Sequence, residues 1–240
     1  VLSSQPHSLD PVLSNEMVLL QYGHVSDAKA VTGVDESGGE TRAYLIDDHL
    51  ILNTQRPHRV CPHASLEKYA FFLNELDSDP KMDVSQMLGY GRERTIEYLC
   101  MTRSGSGDAE PHFGGSAPGS VLKALGRMLR RIHQAPQAFF RESGLFPETN
   151  LEDAFASAVD AISSGQVPWS LDLSPEVADK VLAALSHSEE RVVLHANSGL
   201  VHVFVDLETS RFSGLIDFGA AYISHTALDL RMWSPPEVLP

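Results

Sequence analysis

The chain has few cysteines, no long apolar run and no excess of basic residues. Cys61 and Cys100 are too few for a disulfide framework and lack the paired spacing of a zinc site. No stretch approaches the roughly 20 consecutive apolar residues that span a bilayer. Residues 1–11 also lack the charged start and apolar centre of a secretion signal. These absences predict a reduced, cytoplasmic protein without a membrane partner.

The charge balance argues against a nucleic-acid partner. The 240 residues include 32 Asp and Glu against 18 Lys and Arg, which gives a formal net charge of −14. A protein that binds a phosphate backbone needs a basic face, because its affinity comes from neutralising phosphates and releasing counterions. The same acidity suits a cationic or neutral small molecule. A hydrophobic fraction of 42% is ordinary for a globular protein and predicts a buried core.

The first half of the chain has mainly strand signals. Residues 31–55 contain short strand-like runs separated by turns, the pattern of an antiparallel hairpin. Residues 65–76 place apolar side chains at helical spacing, and Ser65 is a suitable N-cap. Residues 87–91 and 95–102 predict a further strand pair. The N-terminal part is therefore predicted to be a sheet with one helix.

Helix signals replace strand signals further along the chain. Glycines and prolines cluster in residues 104–119, which predicts a linker loop. Residues 120–133 and 151–163 have the spacing of amphipathic helices, and a Ser-Pro-Glu start at Ser174 predicts a third. A cleft between a β-rich and an α-rich lobe is a natural ligand site. The predicted domains are a β-rich lobe at 1–103, the linker at 104–119 and an α-rich lobe at 120–240.

The strongest local signal lies near the C-terminal end. Residues 192–194 and 201–205 predict strands, and a turn then leads to a third strand at 212–216. This last strand ends in the sequence Asp-Phe-Gly at residues 217–219. An acid placed directly after a buried strand is a candidate metal ligand.

Three segments together resemble the aminoglycoside phosphotransferase and choline-kinase-like family. Residues 125–133 resemble its Leu-Gly…Leu-His helix, and residues 195–206 resemble its His-Gly-Asp-x-x-x-x-Asn catalytic loop with the strand that follows. Residues 215–219 resemble its Ile-Asp-Trp/Phe-Gly metal-binding element, and residues 227–230 its later Asp-Leu. The resemblance implies an α+β, bilobal, protein-kinase-like fold. Such a fold has an N-terminal antiparallel sheet plus a helix, and a mainly helical C-terminal lobe with a small β-hairpin catalytic region.

The resemblance also implies cofactors and contacts. A member of this family transfers the γ-phosphate of ATP or GTP, bound with Mg²⁺, to a substrate hydroxyl. By this resemblance Asp217 binds the metal, and the Gly38-Gly39 turn covers the nucleotide. The backbone groups of Cys100 and Met101, in the hinge, bind the purine.

The sequence departs from the family pattern at the most demanding positions. The catalytic Asp is replaced by Asn197, and the second metal ligand by His202. The sheet Lys is replaced by Asn53, and the helix Glu falls near Tyr69 or, in another register, at Glu67. His195 is retained, and we expect it to brace the catalytic loop. Loss of a general base alone typically lowers a rate by about 10²–10⁴-fold.

Three functions follow from this pattern. The first is a small-molecule kinase with weak or altered activity, an alcohol-group phosphotransferase whose acceptor is hydroxylated and cationic, as for an aminoglycoside. The second is an inactive pseudokinase that binds a nucleotide or another ligand and acts as a regulatory module. The third, a metal hydrolase built on His195 and His202, lacks an identifiable third ligand.

Overall fold

The computed structural model describes residues 30–35, 40–56, 65–77, 82, 84–93, 96–105, 107–113, 117–150, 153, 180 and 191–230. No helix among these residues has both the length and the apolar character needed to cross a membrane. The helices and strands are, in chain order, β1 (Val31–Asp35), β2 (Thr41–Ile46), β3 (Leu50–Gln55), α1 (Leu66–Leu76), β4 (Met87–Glu93), β5 (Ile96–Thr102), β6 (Gly107–Asp108), α2 (Ala109–Phe113), α3 (Gly119–Gln134), α4 (Gln137–Glu142), β7 (Val192–Leu194), β8 (Val203–Asp206), β9 (Arg211–Leu215) and β10 (Tyr222–Ser224).

The chain divides into two compact units. Unit 1 comprises Val1–Met128 and Gly199–Ala220, and unit 2 comprises Leu129–Ser198 and Ala221–Pro240. Residues 195–198 therefore belong to unit 2, whereas residues 199–206 and the Asp-Phe-Gly segment belong to unit 1. The lobe boundaries expected from the sequence stay a prediction.

Unit 1 contains a five-stranded antiparallel sheet with the strand order β1-β2-β3-β5-β4. The predicted hairpin is β2 and β3, and its turn includes Asp47 and Asp48 at φ values of 48° and 62°. Asp tolerates this left-handed conformation better than most residues because its short side chain bonds locally. The sheet buries an apolar cluster of Tyr44, Ile46, Leu50, Leu52 and Cys100.

Helix α1 forms where the sequence predicts it. The Ser65 hydroxyl accepts a hydrogen bond from the Lys68 backbone N–H at 3.1 Å, which satisfies one of the unpaired donors of the first turn. The buried Glu97 carboxylate of β5 accepts a second one, from the Leu66 N–H at 3.1 Å. The buried face of the helix is mainly apolar and includes Leu66, Tyr69, Ala70, Phe72, Leu73 and Leu76.

The N-cap makes a measurable contribution to stability. We expect Ser65→Ala to lower the free energy of unfolding by about 1 kcal/mol, because the Lys68 N–H loses its acceptor. For a chain of this size that corresponds to a fall in Tm of roughly 2–4 °C in a thermal scan. Ser65→Thr retains a capping hydroxyl and is the control. Equal Tm values for the Ala and Thr variants would show that the cap is unimportant.

Residues 104–119 differ from the predicted loop, because they include β6, α2 and the start of α3. Gly107 and Asp108 pair with β8, and Pro111 lies within the first turn of α2. A proline there costs little, since its missing N–H would have no partner in the helix. The clustered glycines and prolines predict a loop, so the sequence did not indicate the short elements β6 and α2.

Two further differences concern the C-terminal strands. The strand predicted at 201–205 begins only at Val203, because Leu200–His202 forms a 3₁₀ helix. Strand β10, which pairs with β7 in unit 2, was not predicted. Residues 151–152, 154–163 and 174–176, to which further helices were assigned, lie outside the described residues.

Candidate functional site

Unit 1 contains a cleft with an empty volume of about 350 Å³. Strand β3, helix α1 and the segment after β9 each contribute to it, so residues far apart in sequence share one wall. Several of these residues were singled out by the sequence. The lining residues are Glu40, Thr41, Asn53, Gln55, Ser65, Leu66, Tyr69, Asp217 and Gly219.

The sheet contributes Asn53 to this cleft. It lies in β3 opposite Ala43 of β2 and Leu99 of β5, and only 9% of it is exposed. The resemblance expects a lysine here, and the family would use that lysine to hold phosphates. The Asn53 side chain is neutral, so it supplies hydrogen-bonding groups without positive charge.

Asp217 follows β9 and occupies a strained backbone conformation. Its φ is 68°, in the left-handed region that non-glycine residues rarely adopt. Its backbone N–H donates a hydrogen bond to the phenolic oxygen of Tyr69 at 3.1 Å. Such conformations persist only when neighbouring contacts hold them, and they cluster at functional sites. The Asp217 side chain is 43% exposed.

The two predicted metal ligands lie next to each other. His202 is the last residue of the 3₁₀ helix that precedes β8, and its carbonyl oxygen accepts the Ile216 N–H at 3.0 Å. This bond ties the start of β8 to the end of β9. It brings His202 Nε2 to 3.4 Å from Asp217 Oδ2.

The Asp217–His202 pair could hold a divalent cation only together with further ligands. The described residues contain no cluster of three or more His, Cys, Asp or Glu that could hold an ion by themselves. A cation at one carboxylate with substrate phosphates is the usual arrangement for Mg²⁺, which prefers oxygen. The imidazole nitrogen is a softer donor, so this pair suits Mn²⁺ better than Mg²⁺.

The electrostatics of the cleft are unusual for a phosphate site. Two of its lining residues, Glu40 and Asp217, are acids, and none of the described residues that line it is Lys or Arg. A nucleoside triphosphate is itself strongly anionic. Binding there would therefore depend on a cation that enters with the nucleotide.

His195 and Asn197 lie in unit 2, on an anchored turn. His195 is fully buried, and its Nδ1 accepts the Asn197 N–H at 3.1 Å. The Asp229 carboxylate accepts the His195 N–H at 3.2 Å and the Ala196 N–H at 2.6 Å. It also contacts His133 Nε2 at 2.8 Å. These contacts hold the backbone of residues 195–197 in place. Asn197 is half-buried.

Four further residues were expected to contact the nucleotide, namely Gly38, Gly39, Cys100 and Met101. Gly38 and Gly39 lie outside the described residues. Cys100 and Met101 are buried within β5, where burial raises the pKa of the Cys100 thiol. Because β5 has a neighbouring strand on each side, its backbone groups pair within the sheet. The purine contact expected of these two residues stays a prediction.

Sequence reasoning missed the parts of the site that depend on tertiary contacts. Asp229 was matched to the Asp-Leu element but given no role, although an acid between Leu228 and Leu230 is itself a signal of a buried partner. Glu97 gave no comparable signal, because strand alternation does not reveal that its carboxylate reaches the N-terminus of α1.

A comparison with known proteins identifies the family of this chain. The sequence model described as "Phosphotransferase enzyme family" matches residues 33–233 of this chain. The chain belongs to this family. The match includes both the Asp-Phe-Gly segment and the catalytic loop, so the departures at Asn53, Asn197 and His202 occur within a genuine member. A comparison with curated protein sequences found no match.

Solved structures of phosphotransferases share the fold. The GDP and kanamycin complex of APH(2″)-IIIa has a TM-score of 0.61 at 16% identity, covering 89% of this chain and 75% of that one. The GDP complex of wild-type aminoglycoside 2′-phosphotransferase-IIIa has a TM-score of 0.60 at 16% identity, covering 90% and 76%. Macrolide 2′-phosphotransferase MphH from Brachybacterium faecium has 0.58 at 16%, covering 89% and 75%. The protein-kinase-like α+β fold implied by the resemblance is therefore confirmed.

Proposed function

We propose that this protein binds a nucleoside triphosphate with a divalent cation in the unit 1 cleft and slowly transfers the γ-phosphate to a small hydroxylated acceptor. The observation that supports this most is Asp217, which lines the cleft with His202 beside it. Membership of the phosphotransferase family and the GDP complexes of its structural neighbours support nucleotide use. The net charge of −14 favours a cationic acceptor, and kanamycin in a neighbour is of that class.

The expected chemistry is positioning and electrostatic stabilisation. A divalent cation held at Asp217 and His202 would neutralise charge that develops on the phosphate oxygens. The bond from the γ-phosphorus to the bridging oxygen breaks as the acceptor oxygen attacks. By the family resemblance Asn197 replaces the general base, and an amide is not a useful base, so the proton leaves to solvent. A low rate follows, because orientation is retained and general-base catalysis is not.

A pseudokinase that binds a nucleotide without turnover is the second candidate. It is favoured by the neutral Asn53 and Tyr69 in the cleft and by the lack of Lys or Arg among its described lining residues. The two candidates share the binding step and differ in the transfer step.

A turnover assay separates them. The protein is incubated with ATP or GTP, Mn²⁺ or Mg²⁺, and kanamycin as the acceptor, and mass spectrometry detects phosphorylated kanamycin. The slow-kinase proposal expects product above the level of Asp217→Asn. Nucleotide binding with no product from kanamycin or a panel of other hydroxylated amines would support the pseudokinase instead.

His202 is expected to set the metal preference. His202→Asn replaces the imidazole nitrogen with an amide oxygen, so we expect the ratio of Mn²⁺ to Mg²⁺ affinity in the presence of GDP to fall about tenfold. Calorimetric titration of each metal measures the ratio. His112→Asn changes an exposed histidine of unit 1 and should leave it unchanged. An unchanged ratio in both variants would remove His202 from the metal site.

A further inference from the structure

Helix α1 is attached to the Asp-Phe-Gly segment by several contacts within unit 1. The Tyr69 phenolic oxygen accepts the Asp217 N–H at 3.1 Å, and the Ser65 N–H donates to the Gly219 carbonyl oxygen at 3.3 Å. The ring of Phe218 packs against those of Tyr69 and Phe72, with centroid distances of 5.6 and 4.8 Å. The segment is therefore bonded on both sides of Phe218.

Tyr69 is suited to hold a backbone amide without adding charge. It is only 3% exposed, and a phenol is an uncharged group whose oxygen can accept a hydrogen bond. A neutral oxygen can accept the Asp217 N–H without repelling the Asp217 carboxylate, whereas a glutamate in the same place would add a second negative charge.

The charge pair that the family resemblance expects is absent at Asn53 and Tyr69, and the ion pair that joins sheet and α1 is a long one, Arg92 to Glu67 at 3.9 Å. Asn53 and Tyr69 both line the cleft and neither carries a charge that could join sheet to helix. Instead, the Glu97 carboxylate accepts the first N–H of the helix at Leu66 and pairs with Arg92. Tyr69, one turn further along the helix, accepts the Asp217 N–H and so connects α1 to the Asp-Phe-Gly segment.

We propose that Tyr69 is a positioning residue whose phenolic oxygen, by binding the Asp217 amide, maintains the left-handed backbone conformation that keeps the Asp217 carboxylate at the cleft beside His202. The consequence for metal and nucleotide rests on the proposed function. The conformational role does not, because it rests only on contacts among the chain's own residues.

The test compares two buried tyrosines. Tyr69→Phe removes the acceptor and retains the ring. Tyr44→Phe is the matched control, because Tyr44 is fully buried in β2 and its hydroxyl has no hydrogen-bond partner among the described residues. Hydrogen exchange of the Asp217 amide is followed by NMR in the ligand-free protein, and GDP affinity with Mn²⁺ is measured by calorimetry.

We expect the Asp217 amide to exchange at least about tenfold faster in Tyr69→Phe and at the wild-type rate in Tyr44→Phe. GDP affinity should fall only in Tyr69→Phe. Equal exchange in wild type and Tyr69→Phe, or equal acceleration in both variants, would overturn the proposal. If Tyr69→Phe does not fold, an unprotected Asp217 amide in the wild type overturns it and a protected one supports it. Failure of the wild type to bind GDP would refute the proposed function and leave the exchange result standing.

Discussion

Asn197→Asp is expected to raise turnover about 10²–10⁴-fold over wild type, because it restores a carboxylate that can accept the proton of the attacking hydroxyl. The substitution is nearly isosteric. The turn that carries it is already fixed, since Asp229 binds the His195 and Ala196 amides and His195 binds the Asn197 amide. The new carboxylate should therefore occupy the position of the present amide without a change in the loop.

The kinetic signature of this gain is specific. A general base acts in the transition state, so kcat should rise while the KM for the nucleotide changes little. Asn74→Asp, on the exposed face of α1, is the control for a simple change in charge. Adding Asn53→Lys should lower the nucleotide KM, because it supplies the cleft with a cation. An Asn197→Asp variant that binds GDP and is no faster than wild type would show that residue 197 does not take part in the transfer step.

The second large effect is expected at Asp229, which holds the same loop. Its carboxylate is only 1% exposed, and it accepts two backbone amides and contacts His133. Asp229→Asn leaves an NH₂ group facing one of these donors, so at least one buried N–H loses its acceptor. We expect the free energy of unfolding to fall by about 3 kcal/mol. The corresponding fall in Tm is roughly 6–12 °C for a chain of this size.

Thermal and urea unfolding measure this loss. Glu142→Gln, at an exposed position of unit 2, removes one acidic charge from the surface and should change Tm by no more than about 1–2 °C. If Asp229→Asn were as stable as Glu142→Gln, the buried carboxylate would not be what holds the loop. The two variants carry the same change in net charge, so a difference between them reports burial and hydrogen bonding.

Local patterns in the sequence predicted most of the elements that build the site. Helix α1 was predicted to within a residue, since its apolar spacing and its Ser65 cap are both local signals. The hairpin of β2 and β3 was predicted for the same reason. The motif around residues 215–219 predicted that Asp217 follows a strand, and the structure brings His202 beside it.

What the sequence could not predict depends on contacts between distant residues. Tyr69 and Asp217 are 148 positions apart, and no local pattern indicates their hydrogen bond. Strand β10 is only three residues long and pairs with an equally short β7, so it gave no periodicity to detect. The 3₁₀ helix that ends at His202 was not predicted, because the apolar residues around it alternate as they do in a strand.

The most direct test of a nucleotide site at Asp217 is a calorimetric titration of the wild-type protein and Asp217→Asn with GDP in excess Mn²⁺. Asp77→Asn, an exposed acid of unit 1, is the control. The predicted result is a wild-type Kd of about 1 mM or tighter, equivalent to a binding free energy of about −4 kcal/mol, with at least tenfold weaker binding in Asp217→Asn alone. No binding by the wild type at millimolar GDP, or equal affinity in all three proteins, would contradict a nucleotide site at Asp217.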